Sequence, residues 1–247
     1  MSDTAIVTGA SSGIGAATVA SLRHAGFEVH ALARRADRLE ALTAATGCVA
    51  HAVDVNDTPA LEELLLLLDA DVLVNNAGLG RAMDALAEAT FDDIERSVST
   101  NVAAVLHATR IVLPGMIARR RGHIVNLGSM AGLYPLSAAL YGATKGAVHR
   151  LSTNLRLELR GTGVRVTEIC PGRVMSEFYD VAIDDPARRS EVLETGIEEI
   201  TSEDVAELIR YAVMSPPRMN INRIEVQPTE QTYGGSQFVA TRGAGDE

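Results

Sequence analysis

The stretch "TGASSGIG", Thr8–Gly15, decides the fold. It follows the apolar run "TAIVTG" and precedes a segment of helical period from about Gly13 to His24, so a strand turns into a helix within it. Gly9, Gly13 and Gly15 form a G-x-x-x-G-x-G pattern at that turn. Glycines let the backbone turn tightly and approach a pyrophosphate, which is attracted to the partial positive charge of a helix N-terminus.

The same alternation runs outward along the chain. "FEVHALA" is followed by a helical segment at about Ala36–Thr46, and "CVAHAVDV" by one at about Pro59–Leu68. "DVLVNNAG" then leads through a long segment, about Phe91–Arg120, into "HIVNLGS". A helix at Tyr141–Leu159 precedes "VRVTEICPG", and a short one near Glu203–Ala212 precedes "NRIEVQP". Seven near-continuous apolar strands separated by helical crossovers predict a parallel sheet covered on both faces, because parallel neighbours are joined only by passing over the sheet. The expected fold class is α/β, a doubly wound, Rossmann-like sandwich forming a single domain over residues 1–247. Arg173–Ile200 is the one long irregular stretch and reads as a substrate lid. The tail from Gly234 reads as frayed or ordered by a partner subunit.

Composition narrows the function. A formal charge of −10 opposes nucleic-acid binding, and the one basic cluster, "ARRRGH" at Ala118–His123, reads as a helix end whose carbonyls favour cations. The leucine run Leu64–Leu68 is too short for a membrane span of about 20 residues and reads as a buried helix face. Cys48 and Cys170 stand apart without metal spacing, and the six histidines also lack it, so no metal is expected. Without an export signal at the start, the expected location is cytoplasmic.

A nicotinamide dinucleotide site that takes NAD places an acidic residue about 20 positions past the glycines, to accept from the ribose 2′-hydroxyl. Here Arg34 and Arg35 follow the second strand. Guanidinium groups bind a 2′-phosphate bidentately where a carboxylate would repel it, so the expected cofactor is NADP.

Lys145 is the only lysine in the chain, against 21 arginines, and it lies four residues after Tyr141. On a helix the two share a face. A phenol with a pKa of about 10 is a poor base near neutrality, and an adjacent ammonium favours phenolate. The compact ammonium also suits ribose hydroxyls, a task for which arginine's planar fork is ill shaped. Ser129 ends the strand "HIVNLGS", at the sheet edge where open α/β folds bind ligands.

"TGASSGIG", "NNAG" (Asn75–Gly78), Asn101, Ser129, Tyr141-x-x-x-Lys145 and "PG" (Pro171-Gly172) together resemble the short-chain dehydrogenase/reductase family over nearly the whole chain. The C-terminal "PPRMNINRIEVQPTEQTYGG" is further similar to its bacterial NADP-dependent 3-hydroxy acid and serine dehydrogenase branch. The resemblance implies catalysis by Asn101, Ser129, Tyr141 and Lys145, with Tyr141 exchanging the proton, Ser129 bonding the substrate oxygen and Asn101 holding a water that links Lys145 to solvent. It implies a cofactor wall of Gly9, Ser11, Ser12, Gly13, Ile14, Gly15, Arg34, Arg35, Asp54, Val55, Asn75, Ala77, Gly78, Tyr141, Lys145, Pro171, Gly172, Val174 and Ser176, where the family usually has threonine at the last position. For the substrate, Ser129, Met130, Leu136, Tyr141, Arg173 and Phe178 are candidates, with Leu79, Met83, Met175 and Tyr179 as further apolar walls and Arg173 or Arg81 as the cation for a carboxylate. The expected activity is hydride transfer between NADP(H) and a small 3-hydroxy acid or hydroxy amino acid. A general carbonyl reductase for neutral ketones or aldehydes and a non-catalytic NADP-sensing regulator are the alternatives. A homo-oligomer, tetramer or dimer, is implied as well.

Overall fold

The computed structural model describes residues 3–232, apart from 82, 84 and 184, together with 238 and 239. The tail from Gly234 thus lies almost wholly outside the described residues. Strands β1 (Thr4–Thr8), β2 (Glu28–Ala33), β3 (Val49–Ala52), β4 (Val72–Asn75), β5 (Gly122–Leu127) and β6 (Val164–Pro171) alternate with helices α1 (Gly13–His24), α2 (Ala36–Thr46), α3 (Thr58–Leu67), α4 (Phe91–Val98), α5 (Ala104–Arg119) and α6 (Ala139–Glu158). Two short strands, β7 (Val174–Met175) and β8 (Ile200–Thr201), bracket helices α7 (Phe178–Ala182) and α8 (Pro186–Leu193); α9 (Ser202–Met214) and β9 (Arg223–Val226) complete the order. The sheet runs β3-β2-β1-β4-β5-β6-β9, all pairs parallel, as the alternation of strands and helices predicts.

Alternate residues of each strand feed opposite faces. Ala5 and Val7 of β1 join Val19 and Leu22 of α1, Leu39 of α2 and Val205, Ile209 and Val213 of α9 in one apolar layer. Ile6 and Leu73 face the other, with Leu61 and Leu65 of α3, Ile111, Val112 and Met116 of α5, and Leu155 of α6. The leucine run is therefore split: Leu65 is core with Leu64 and Leu68 packed partly buried against it, whereas Leu66 and Leu67 are exposed. Strand β3 ends at Ala52, earlier than "CVAHAVDV" suggests, and most of its side chains are exposed because it is the sheet edge.

Between β1 and β4 the strand order reverses, and their carboxyl ends open a crevice there. Two departures from the sequence reading shape that crevice. The segment from Phe91 is interrupted at Ser99–Ala103 by a π-helical turn that carries Asn101; such turns re-aim side chains. The stretch Arg173–Ile200, expected to be irregular, instead contains β7, α7, α8 and the start of β8, anchored by the β7–β8 pair and by an α8 that Asp185 caps.

Candidate active site

A cavity of about 760 Å³ runs along the carboxyl edge of the sheet, from Arg34 and Arg35 at one end to Ser129, Tyr141 and Lys145 at the other. Its size lies in the range of sites for organic ligands. Gly9, Ser11, Ser12, Gly13, Ile14, Asp54, Val55, Ala77, Gly78, Pro171, Gly172, Val174 and Ser176 all line it.

The glycine loop is shaped by close approach. Gly9 has φ +65°, and a side chain there would place its Cβ 2.7 Å from the Ala77 backbone. Thr8 Oγ1 accepts from the N–H groups of Asn76 and Ala77, while the Asn76 amide donates to the carbonyls of Thr8 and Gly9. Ser12, at the N-cap of α1, makes no side-chain cap bond, so its hydroxyl is available to Arg35. Two expected wall residues lie elsewhere. Gly15 is buried behind the loop, where a Cβ would meet the Gly9 carbonyl at 2.3 Å, so its glycine serves loop–helix packing. Asn75 is also buried: its amide donates to Thr109 and Asn126 inside the protein. The asparagine at the cavity is Asn76, one residue past the strand end.

At the arginine end, Arg35 donates to the hydroxyls of Ser11 (2.9 Å) and Ser12 (2.7 Å), which fixes its guanidinium over the loop. Arg34 is more exposed and lies 3.8 Å from Asp54. Two residues that sequence reasoning missed complete this end. Arg38, in the first turn of α2, donates to both carboxylate oxygens of Glu177 at 2.7 Å, and Arg35 lies 3.4 Å from the same carboxylate. These pairs hold Glu177 below the usual carboxylate range. Only the run Arg34-Arg35-x-x-Arg38 hinted at the third arginine.

At the opposite end, α6 presents Tyr141 and Lys145 on one face, with the Lys145 ammonium 5.9 Å from the Tyr141 ring centroid. Lys145 is buried and donates to the Leu127 carbonyl at 2.8 Å; burial lowers its pKa to about 8. Gly132 lets the loop after Ser129 lie on α6, where a Cβ would sit 2.6 Å from the Lys145 carbonyl. The expectation that Lys145 lowers the Tyr141 pKa requires correction. Burial dominates and raises it, and the opposing influence is a hydrogen bond with Ser129. The phenol therefore keeps its proton at neutral pH, which is the form a proton donor needs. Asn101 lies behind these groups. Its amide donates to the Leu79 carbonyl and Thr144, and its oxygen accepts from the Leu79 N–H, so it clamps the 76–80 loop to α6.

The lid closes over this end. The Phe178 ring centroid is 5.5 Å from that of Tyr141 and 5.2 Å from that of Tyr179. Gly80 admits Phe178, since a Cβ there would fall 2.4 Å from its ring. Met130, Leu136, Leu79 and Met83 join Phe178 and Tyr179 in the wall, whereas Met175 is 64 % exposed and lies outside it. Arg173 was expected to receive a substrate carboxylate, but it is buried and engaged. It donates to Glu199 at 2.6 Å and to the Val192 carbonyl, and it stacks 4.1 Å from the Tyr179 ring. Arg81 is paired with Asp93 at 3.3 Å.

Residues 3–186 match the family model described as short chain dehydrogenase. The chain belongs to the short-chain dehydrogenase family. It is 39 % identical over 239 residues to an NADP-dependent 3-hydroxy acid dehydrogenase YdfG of Shigella flexneri, covering 93 % of this chain and 96 % of that protein. It is 38 % identical over 245 residues to a serine 3-dehydrogenase of Agrobacterium fabrum, covering 96 % and 98 %. Among solved structures, a closed form of serine dehydrogenase complexed with NADP+ superposes with a TM-score of 0.90 at 38 % identity, over 94 % of this chain and 97 % of that one. Serine dehydrogenase from Escherichia coli gives 0.81 at 36 %, over 93 % and 100 %.

Proposed function

We propose that this protein is an NADP-dependent oxidoreductase that interconverts a small 3-hydroxy acid, or a hydroxy amino acid, with its carbonyl form. The observation that carries the proposal is a single cavity with a phosphate-loop and arginine cluster at one end and the Ser129, Tyr141 and Lys145 group at the other. Gly9 and Gly13 keep positive φ, and at Gly9 a side chain would also crowd the Ala77 backbone, while Ser11, Ser12, Arg34 and Arg35 supply donors for phosphates. These residues fit NADP. The hydroxy-acid substrate class is supported by the named relatives.

When bound, NADP(H) supplies or takes up the hydride. The protein's own work is to orient and to move one proton. Ser129, two residues past the end of β5, holds the substrate oxygen beside Tyr141 by donating its hydroxyl. In reduction the Tyr141 phenol, kept protonated by burial, gives its proton to the carbonyl oxygen. In oxidation it takes the proton back. Lys145 supplies the compact positive charge beneath the ring, and Asn101 holds the Gly78–Gly80 loop and α6 in register. Phe178, Tyr179 and the rest of the lid exclude water from the reacting end. Arg81 is the remaining arginine candidate for a substrate carboxylate, released from Asp93 as it pairs with the acid. The enzyme acts in the cytoplasm as a homo-oligomer in this reading.

The test is NADPH oxidation and NADP+ reduction against 3-oxo and 3-hydroxy acids, serine, their methyl esters and neutral ketones. Preference for free acids over esters, with NADPH over NADH, is expected. Equal handling of acids, esters and neutral ketones would instead establish a general carbonyl reductase, and cofactor binding without turnover of any compound would overturn the enzymatic reading.

A further inference from the structure

Glu177 sits where its chemistry conflicts with its surroundings. It is the first lid residue after Ser176, at the N-cap of α7, and it lines the cavity next to Ser11, Ser12, Arg34 and Arg35. Its carboxylate is held by Arg38 through two contacts of 2.7 Å and by Arg35 at 3.4 Å. Arg35 lines the cavity and belongs with Arg34 to the pair that a ribose 2′-phosphate would use, Arg38 is joined to it through the shared Glu177 carboxylate, and the same cations cannot fully serve two anions. The participating side chains are 40 % to 44 % exposed, so the pairing is weak enough to be exchanged.

We propose that Glu177 competes with the 2′-phosphate for Arg35 and Arg38, and so sets how tightly, and how selectively, the enzyme holds a 2′-phosphorylated cofactor. The inference rests on the NADP reading and concerns a residue outside the glycine loop. A carboxylate on the lid occupies the anion seat, and a phosphate of higher charge displaces it, at the cost of the lid's contact with α2. Exchange at this end is coupled to the reacting end by a short lever: the next residue, Phe178, packs against Tyr141 at 5.5 Å. The carboxylate therefore lowers affinity for NADP(H) while leaving NAD(H) nearly untouched, which limits product retention at the cost of selectivity.

The experiment compares the full-length wild type with Glu177→Gln, which keeps the side-chain length and removes the charge, and with Glu177→Ala. Dissociation constants are measured for 2′,5′-ADP, 5′-AMP, NADPH and NADH at low salt and at high salt. Glu177→Gln should bind 2′,5′-ADP and NADPH about two- to fivefold more tightly, the range open to pairs of this exposure. Binding of 5′-AMP and NADH should be unchanged, and the gain should shrink at high salt. Unchanged or weakened 2′,5′-ADP binding in both variants would overturn the proposal, and equal weakening of all four probes would show that Glu177 merely orders the loop. A wild type that binds 2′,5′-ADP no better than 5′-AMP would overturn the NADP reading itself and this inference with it.

Discussion

The floor of the cavity and its lid are built from different interactions. The floor consists of strand ends and the loops that leave them, pinned by buried amides and hydroxyls: Thr8 to Asn76 and Ala77, Asn75 to Asn126 and Thr109, Asn126 to Ser152, Asn101 to Leu79 and Thr144. The lid, from Arg173 to Ile200, is held by arginine–carboxylate pairs and stacked rings: Arg173 with Glu199 and Tyr179, Arg38 and Arg35 with Glu177, Phe178 with Tyr141. A fixed network that leaves few donors unused suits groups whose geometry must not change. The Arg173–Glu199 pair is buried and anchors the lid, whereas the pairs of Arg35 and Arg38 with Glu177 are partly exposed, hence screened and exchangeable, which suits a segment that has to admit and release ligands.

The sharpest way to break this contrast is to disturb the floor without changing its charge. Lys145→Arg should lower turnover by about 100-fold or more, because the buried ammonium is seated on the Leu127 carbonyl at 2.8 Å and arginine's planar fork differs from it in reach and geometry. Steady-state kinetics with saturating NADPH checks this, and turnover within a few-fold of wild type would mean that any cation suffices.

The next effect concerns the arginine end. Replacing Arg34 and Arg35 together by alanine should cut NADPH affinity by about tenfold or more while NADH binding changes little, as a charged hydrogen bond is worth about 1.5–3 kcal/mol. Cofactor titration of the double variant measures it, and equal losses for both cofactors would point to a damaged loop.

On the lid, Arg173→Ala should raise KM several-fold with a much smaller change in kcat, and should make residues 173–200 the first site of limited proteolysis. A loss confined to kcat would show that Arg173 acts in the chemistry.

How far the sequence could reveal these two regions follows from the same contrast. Gly9, Tyr141 and Lys145 were readable because local backbone or helix geometry demands those residue types at fixed spacing. The motif points to Asn75 at the cavity, but side-chain direction flips with each residue along a strand. Asn75 points into the core, while Asn76, just past the strand, reaches the loop. The π-helical turn that aims Asn101 has no sequence period of its own. Lid contacts were illegible for a different reason: Arg38 and Glu177 are 139 residues apart, and charge pairing carries no spacing rule. Arg173 looked like an anion receptor for want of any sign of Glu199.

A smaller effect separates the regions by pH. His123 lies buried on β5, and burial lowers its pKa to about 3 from an ordinary value near 6.5. As the pH falls from 6.5 toward 3, the unfolded chain binds a proton that the folded chain refuses, so stability declines through that window and is unaffected above it. His123→Gln should flatten part of the decline in Tm between pH 7 and pH 4.5. An identical slope in the variant would assign the acid sensitivity to other groups.

The central claim is that the cavity's two ends serve one reaction, with Tyr141 moving its proton. The most direct test is Tyr141→Phe, with NADPH affinity and single-turnover hydride transfer followed in the same sample. The account predicts NADPH affinity within a few-fold of wild type and a transfer rate lower by about 10²–10⁴-fold, since only the transferable proton is lost. Transfer at the wild-type rate with cofactor bound would contradict it.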